Sequence, residues 1–353
     1  MSKTKTLIDK LAEYHKLSLD EYEYIISNHT DEDATYAASL ALDIKRSVYG
    51  NDVFLRGLIE ISSICKNDCL YCGLRCSNQQ CERYRLSKND ILSCCDVGYP
   101  LGFRTFVLQG GEDPFFTDDV LVDIIASIKQ KYPDCAITLS LGERDHKSYS
   151  TLKCAGADRY LLRHETADAV HYSKLHPSSM SYENRKKCLY DLKKTGFQTG
   201  CGFMVGSPFQ TSKNIALDLK FIEEFKPEMC GIGPFIPHHA TPFAKDPAGS
   251  VELCCFLLSL VRIMQPNILL PATTALGTLS PNGREKGLLA GANVVMPNLS
   301  PSDVRKKYEL YDGKAYTGTE AGENKKTTEE KIRAIGFNAV VARGDIKLNN
   351  TEV

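Results

Sequence analysis

Eight short apolar runs, each followed by a segment of helical period, constrain this chain more than any other feature. The runs are "GLIEISSI" (57–64), "TFVLQG" (105–110), "AITLSLG" (136–142), "RYLLRHE" (159–165), "TGCGFMVG" (199–206), "CGIGPFIP" (230–237), "ILLPATTA" (268–275) and "NVVMPN" (293–298). β-Branched residues concentrate in the runs, while stretches such as "DDVLVDIIASIKQKY" and "SYENRKKCLYDLKKTG" repeat apolar residues at helical spacing. Eight strand–helix units over about 250 residues predict an α/β fold, a (β/α)8 TIM-type barrel. A doubly wound open sheet is the competing arrangement, but it normally has fewer strands and a glycine-rich first turn, which this chain lacks. Residues 1–50 read as an N-terminal helical extension, 51–312 as the barrel and 313–353 as a C-terminal tail packing on it. Within the tail, "TGTEAGENKKTTEEKIRAIG" predicts a surface loop followed by a short helix.

In such a barrel the C-terminal ends of the strands carry the active site, and the chemically capable residues of this chain collect there. "CKNDCLYC" (65–72) follows the first run, "GGEDP" (110–114) ends the second, "SLGE" (140–143) the third and "RHE" (163–165) the fourth. "PHHATP" (237–242) follows the sixth run and "ATTALGT" (272–278) the seventh. Packing needs alone do not place such residues at one end of successive strands.

A formal net charge of −1 over 353 residues gives no general attraction to phosphate backbones or anionic lipid. This argues against nucleic acid and membrane partners and for a small-molecule substrate. The opening "MSKTKTLIDKLAEYHKL" has the period of an amphipathic helix without the apolar core of a signal peptide, and no later run is long enough to span a membrane. A cytoplasmic location is expected. Fourteen cysteines without a secretory signal point to reduced thiols. Cys135, Cys154, Cys188, Cys230, Cys254 and Cys255 lie in or beside predicted strands and helices, where free cysteine behaves as a small hydrophobe.

Cys65, Cys69 and Cys72 differ, because they place three thiols on one loop directly after the first strand. A structural zinc site closes with four ligands, usually from separated pairs, and would here need Cys76 or Cys81 as the fourth. Three thiolates on a short loop suit three irons of a [4Fe-4S] cluster, and leave the fourth iron open to something that binds iron directly.

C-x3-C-x2-C with an aromatic residue, Tyr71, before its last cysteine resembles the signature of radical S-adenosylmethionine (SAM) enzymes. Within that superfamily, "FLRGLIE", "CLYCGLR", "ERYRL", "LQGGEDP", "TLSLGE", "ADRYLLRHET", "GIGPFIPH", "PATTALGT" and "GANVVMPN" resemble the HydE family of [FeFe]-hydrogenase maturases, from about residue 50 to 313. The resemblance implies a [4Fe-4S] cluster on Cys65, Cys69 and Cys72, with the amino and carboxylate groups of SAM on the vacant iron. It also implies reductive cleavage of SAM to methionine and a 5'-deoxyadenosyl radical. Gly110, Gly111 and Glu112 would then support the amino group of SAM, the glycines allowing close backbone approach. Ser140, Glu165 and Arg185 would meet its remaining polar groups, Arg185 through its rigid donor fork. The implied substrate is a cysteine-bound iron carbonyl cyanide species, and the implied partners are a low-potential electron donor and other hydrogenase maturation proteins. The alternatives are a simple strand-end turn for Gly110 to Glu112 and a solvated helix face for Arg185.

Alternation along the fourth run puts Arg159, Leu161, Arg163 and Glu165 on one face, which in a barrel is the interior. Two arginines and a glutamate are costly there unless they pair or meet a ligand. They predict a polar pocket for an anionic or organometallic substrate, with Arg159 and Arg163 at the reacting centre; a structural ion pair is the alternative. Thr138, Thr273 and Thr274 would add neutral donors. His238 and His239 are adjacent on an extended segment, so they are expected to point apart, as loop or cofactor-lining residues rather than a metal site. Cys201 hints at the second cluster of biotin synthases, but the other cysteines for it are missing. Beyond Cys255 there is no cysteine, which predicts one cluster and about four irons per chain. "VGSPFQT" (205–211) replaces the glycine-rich turn usual after the fifth strand. Two alternatives to a maturase stay open: an enzyme like methylornithine synthase or biotin synthase acting on an organic substrate, and a non-catalytic iron–sulfur or zinc scaffold.

Overall fold

Polar caps set where the helices begin. Ser2, Ser18 and Thr30 each accept a backbone N–H in the first turn of α1 (Lys3–Tyr14), α2 (Leu19–Asn28) and α3 (Asp31–Tyr49), and Glu21 and Asp33 complete capping boxes. The computed structural model describes residues 2–314 and 321–347. In it the apolar stripes of these three helices, including Leu11, Ile25 and Ala41, are buried against α9 (Ser212–Phe225) and α10 (Val251–Met264).

From there the chain enters β1 (Asp52–Leu55) and β2 (Gly57–Ser62), one extended path that changes neighbours at Arg56. β2 opens a parallel six-stranded sheet, continued in order by β3 (Thr105–Gly110), β4 (Ala136–Ser140), β5 (Arg159–Leu161), β6 (Gln198–Cys201) and β8 (Met229–Cys230). The outer layer between them is α4 (Lys88–Gly98), α5 (Asp118–Lys131), α6 (His146–Cys154), the pair α7 (Ala169–Leu175) and α8 (Tyr182–Lys194), and α9. Single bridges carry the sheet round from Met229 to Leu269, from Pro271 to Val294 and from Asn298 to Leu58. The sheet thereby closes as the α/β barrel expected of the eight runs.

Three runs depart from simple strands. The fifth and sixth are each split, resuming as β7 (Met204–Val205) and β9 (Gly233–Pro234), which pair with each other. At the split, a Cβ on Gly202 would lie 2.8 Å from the carbonyl carbon of Gly231, so the backbones approach too closely for a side chain. The seventh run reaches the sheet only through bridges, because Pro271 has no N–H to donate and Thr273 already stands at the N-terminus of α11 (Thr274–Leu279). α12 (Gly283–Leu289), β10 (Val294–Val295) and α13 (Ser302–Arg305) complete the circuit, and α14 (Ala321–Ala334) leads to β11 (Asn338–Val340). The helix expected in the tail is α14; the loop expected before it lies partly at 317–320, outside the described residues.

The tail does more than pack on the barrel. β11 joins the sheet beside β1, Val53 opposite Ala339, and the residues after it close the N-terminal end of the barrel. Here Arg159 corrects the sequence reading. Its Cα is in register with Thr138, inside the barrel, but its guanidinium turns toward the floor, away from the cysteine end. It donates to Thr105 Oγ1 (3.0 Å), Arg343 O (2.9 Å) and Asp345 Oδ1 (2.5 Å), and through Nε to Gln198 Oε1 (3.1 Å). Alternation assigns a residue to a face but not a direction along the barrel axis, and the Arg159 guanidinium is drawn down to its floor partners, away from the reacting centre. Burial pushes the Asp345 carboxyl up, but the Arg343 hydrogen bond and the Arg159 charge outweigh it and hold the group at about 2.

Asp345→Ala is expected to cost about 1–3 kcal/mol, since Arg159 keeps three partners and Asp345 is partly exposed, and chemical denaturation measures it. Because the folded value lies below the ordinary carboxylate value, this contribution is fully present above pH about 4 and fades as pH falls toward 2. The parent's acid loss of stability should therefore exceed that of Asp345→Ala.

Candidate functional site

The loop after β2 is fastened at its edges by three separate parts of the chain. Leu70 N–H donates to Leu175 O (3.0 Å), Gly73 N–H to Leu310 O (2.9 Å) and Lys66 N–H to Glu112 O (3.0 Å). Arg75 clamps Asp68 through Nε (2.8 Å) and Nη2 (2.5 Å), and Arg83 fills the loop's interior by donating to the carbonyls of Ser63, Leu74 and Arg75. Cys65, Cys69 and Cys72 are half-buried on it. Glu112 N–H points to Cys65 Sγ (3.4 Å), and Cys69 Sγ lies 3.6 Å from Met180 Sδ. Burial pushes all three thiols up, Cys72 to about 12, and a Cys65 thiolate would further raise Cys69 and Cys72. Such a set ionises only against positive charge, which a metal centre supplies. Zinc in a tetrahedral cage needs four ligand atoms packed together. Among the described residues the only three His, Cys, Asp or Glu ligand atoms within 4.8 Å of one another belong to His238, His239 and Asp312, so neither Cys76 nor Cys81 completes a preformed zinc cage.

Glycine has a sharper role here than cofactor approach alone. A Cβ on Gly111 would lie 2.7 Å from Cys65 Cβ and closer still to Ile64 O, so only glycine lets the end of β3 meet the cysteine loop. Gly110 is less constrained, with Ile61 Cγ1 at 3.3 Å. Glu112 Oε1 accepts the Glu143 N–H (3.0 Å), while Lys66 Nζ lies 3.4 Å from Oε2. A cleft of about 180 Å³ opens beside Glu112, Lys66, Leu141 and Glu143.

Arg185 is buried rather than on a solvated helix face. Its Nε donates to Glu143 Oε1 (2.5 Å) and its Nη1 to Arg163 O (2.8 Å). Burial alone would lower this guanidinium, but the Glu143 carboxylate reverses the direction and raises it. Sequence reading missed Glu143 as its partner, because the pair is 42 residues apart and nothing local marks it. Arg163 Nη2 stands 3.2 Å from Glu165 Oε2 without the alignment of a hydrogen bond. Arg163 Nε, Glu165 Oε2, Thr138 Oγ1 and Thr273 Oγ1 are all buried without hydrogen-bond partners, the Arg163–Glu165 ion pair apart. Buried polar atoms are normally satisfied, so this group is what a polar ligand would complete. Ser140 ends β4 in register with Gln109, one layer above Thr138, and Thr274 receives Arg284 Nη2 at 3.3 Å. A second cleft, of about 260 Å³, reaches Glu60, Thr274, Arg284 and Met296. A larger cavity of about 530 Å³ lies at the opposite end of the barrel, among Tyr14, Lys226, Pro266 and Ile346, and holds none of these groups.

His238 and His239 do not point apart. A turn begins at His239, so their rings stack at 4.4 Å and both approach Asp312 Oδ1, at 3.8 and 2.7 Å. Ala240 N–H donates to His238 Nδ1 (3.1 Å), which leaves the ring proton on Nε2, the nitrogen toward Asp312. His239 Nδ1 is hydrogen-bonded to Asp312, and the three ligand atoms lie within 4.8 Å of one another. Cys201 is in register with Cys230 and lies near Lys193 of α8 and Asp218 of α9, in the helix layer behind the barrel wall. It faces away from the cavity.

Gly111→Ala should leave the barrel folded yet push the cysteine loop from β3. The expected result is normal circular dichroism with most of the reconstituted iron lost.

Comparison with known proteins bears on this arrangement. Residues 59–222 match the model of the Radical SAM superfamily. The chain is 48% identical over 275 residues to the [FeFe] hydrogenase maturase subunit HydE of Thermotoga maritima, covering 78% of each chain. It is 28% identical over 297 residues to the 3-methylornithine synthase of Methanosarcina acetivorans, covering 84% and 83%. The fold is similar to that of methylornithine synthase, with a TM-score of 0.80 at 25% identity over 95% and 97% of the chains. It is also similar to HydG, a maturase of the [FeFe]-hydrogenase, with a TM-score of 0.79 at 20% identity over 96% and 76%, a likeness of fold alone. Radical SAM enzymes carry a [4Fe-4S] cluster and SAM, which suits three thiols beside unpartnered buried polar atoms. The chain belongs to the HydE family of radical SAM enzymes.

Proposed function

We propose that this protein binds a [4Fe-4S] cluster through Cys65, Cys69 and Cys72 and SAM beside it, and acts on a cysteine-bound iron carbonyl cyanide species in assembling the diiron subcluster of [FeFe]-hydrogenase. The observation that carries this reading is the three-thiol loop on a barrel whose Arg163, Glu165, Thr138 and Thr273 hold buried atoms without hydrogen-bond partners. When bound and reduced, the cluster supplies the electron that splits SAM into methionine and a 5'-deoxyadenosyl radical. The protein's own part is to bind, orient and exclude water. Gly110 and Gly111 offer backbone instead of side chain at the end of β3, with Glu112 and Ser140 beside them. Arg185, made rigid by Glu143 and Arg163 O, presents a fixed cation suited to the carboxylate of SAM, and Glu165 takes its remaining polar groups.

Arg163, with Thr138 and Thr273 as neutral donors, forms the anion-binding side of the substrate pocket; Thr274, held by Arg284, lines it. Thr138 lies deepest, in the layer of Arg159, so the pocket extends down the barrel rather than across its mouth. An electron donor and other maturation proteins are the partners this reading requires, in a cytoplasmic setting.

The test is to ask whether the protein restores activity to a hydrogenase maturation system lacking its HydE component, and releases 5'-deoxyadenosine under reductant. Failure of both would overturn the reading. Arg163→Ala should keep the iron and SAM cleavage but lose maturation, whereas Cys69→Ala should lose all three. Iron analysis should give about four irons per parent chain and almost none in the Cys65/Cys69/Cys72 triple alanine variant.

A further inference from the structure

Behind the turn that carries Arg163 and Glu165 lies a buried pair with no part in the chemistry above. His164, between the two cavity residues, faces the helix layer, where its ring packs on Phe221 (4.8 Å between centroids) and its Nε2 lies 3.2 Å from Asp218 Oδ1. Gly202 N–H reaches Nδ1 at 3.3 Å, so that nitrogen accepts and Nε2–H donates to Asp218. The same carboxylate oxygen takes the Ala167 N–H at 2.5 Å. The two side chains are 1% and 0% exposed, and Asp218 Oδ2 has no partner.

A carboxyl so dry is a poor choice for stability, since a well-packed apolar pair of similar volume is often as stable or more so. Its contacts instead fall on either side of a strained residue. Glu165 has φ of 66°, a left-handed conformation that is strained for a residue with a Cβ. Residue 164 is held by its ring, 165 by its N–H on Gly202 O (3.0 Å) and 167 by its N–H on Asp218.

We propose that Asp218 is a positioning residue: through His164 and the Ala167 N–H it holds residues 163–167 in the turn that aims Arg163 and Glu165 into the cavity. This rests on the assignment of Glu165 to SAM made above. Without the clamp the turn relaxes from its strained conformation, and both side chains lose a fixed direction while the barrel wall stays whole.

Three variants of the reconstituted protein test it, with SAM affinity read from the change SAM makes in the electron paramagnetic resonance spectrum of the reduced cluster. In Asp218→Asn, Oδ1 still accepts both bonds, and affinity should match the parent. In His164→Phe/Asp218→Leu both side chains become apolar and the Ala167 and Gly202 N–H groups lose their acceptors, so thermal unfolding should shift down modestly with a cooperative transition and iron content kept, while SAM affinity falls roughly tenfold or more, as when other outer-shell supports are removed. Glu165→Ala, with the pair intact, should also weaken SAM. If Glu165→Ala binds SAM like the parent, the SAM assignment fails and the proposal with it. If Glu165→Ala weakens SAM but the double variant does not, the pair is packing and the proposal is overturned. Loss of the folding transition or of iron in the double variant would make the pair a general support of the barrel, which equally overturns it.

Discussion

Three thiols sharing one loop with little water are tolerable as thiolates only if positive charge lies among them. Burial pushes each thiol up, a Cys65 thiolate raises Cys69 and Cys72, and a Cys72 thiolate raises Cys69 further. The rest of the site follows from meeting this condition. The loop needs anchors that do not compete for the sulfurs, and it takes them from backbone groups of Leu175, Glu112 and Leu310, each on a different part of the barrel. It needs the end of β3 almost in contact, which only Gly111 allows. That contact brings Glu112 N–H to Cys65 and sets Glu112 and Glu143 beside the cleft, and Glu143 in turn fixes Arg185.

Polarity is distributed along the barrel axis in a way that separates structure from chemistry. At the floor, buried charges are largely satisfied: Arg159 has Thr105, Gln198, Arg343 O and Asp345, and Arg56 reaches Gly344 O at 3.2 Å through Nη2, its Nε alone lacking a partner. In the middle, Glu60 is paired with Lys314 and accepts from Asn298 Nδ2 (2.8 Å). Toward the cysteine end, Arg163, Glu165 and Thr273 carry unpartnered atoms. Satisfied groups hold a barrel together, whereas unsatisfied ones cost free energy until a ligand meets them. The same residue type, arginine on β5 and just beyond it, serves one end in each sense.

Local signals in the sequence were enough for the barrel, since "TFVLQG" is β3 to the residue and the cysteine motif names its own loop. They were weakest where long-range partners decide. Alternation put Arg159 and Arg163 on one face, but the partner that draws Arg159 to the floor, Asp345, is 186 residues away. Arg185 looked like a possible solvated position because Glu143 lies on another strand's end. "ILLPATTA" reads as a strand by composition, yet Pro271 and the helix start at Thr273 reduce it to bridges. The adjacent histidines misled because the period-two rule holds only while the backbone stays extended, and it turns at His239.

The central claim is that SAM binds directly to the iron left open by Cys65, Cys69 and Cys72. The most direct measurement is frozen-solution electron–nuclear double resonance on the reduced cluster with SAM labelled at its amino nitrogen and carboxylate carbon. Hyperfine coupling from both labels to the cluster spin is the result this account predicts. A cluster spectrum in which neither label couples, with SAM present in excess, would contradict it.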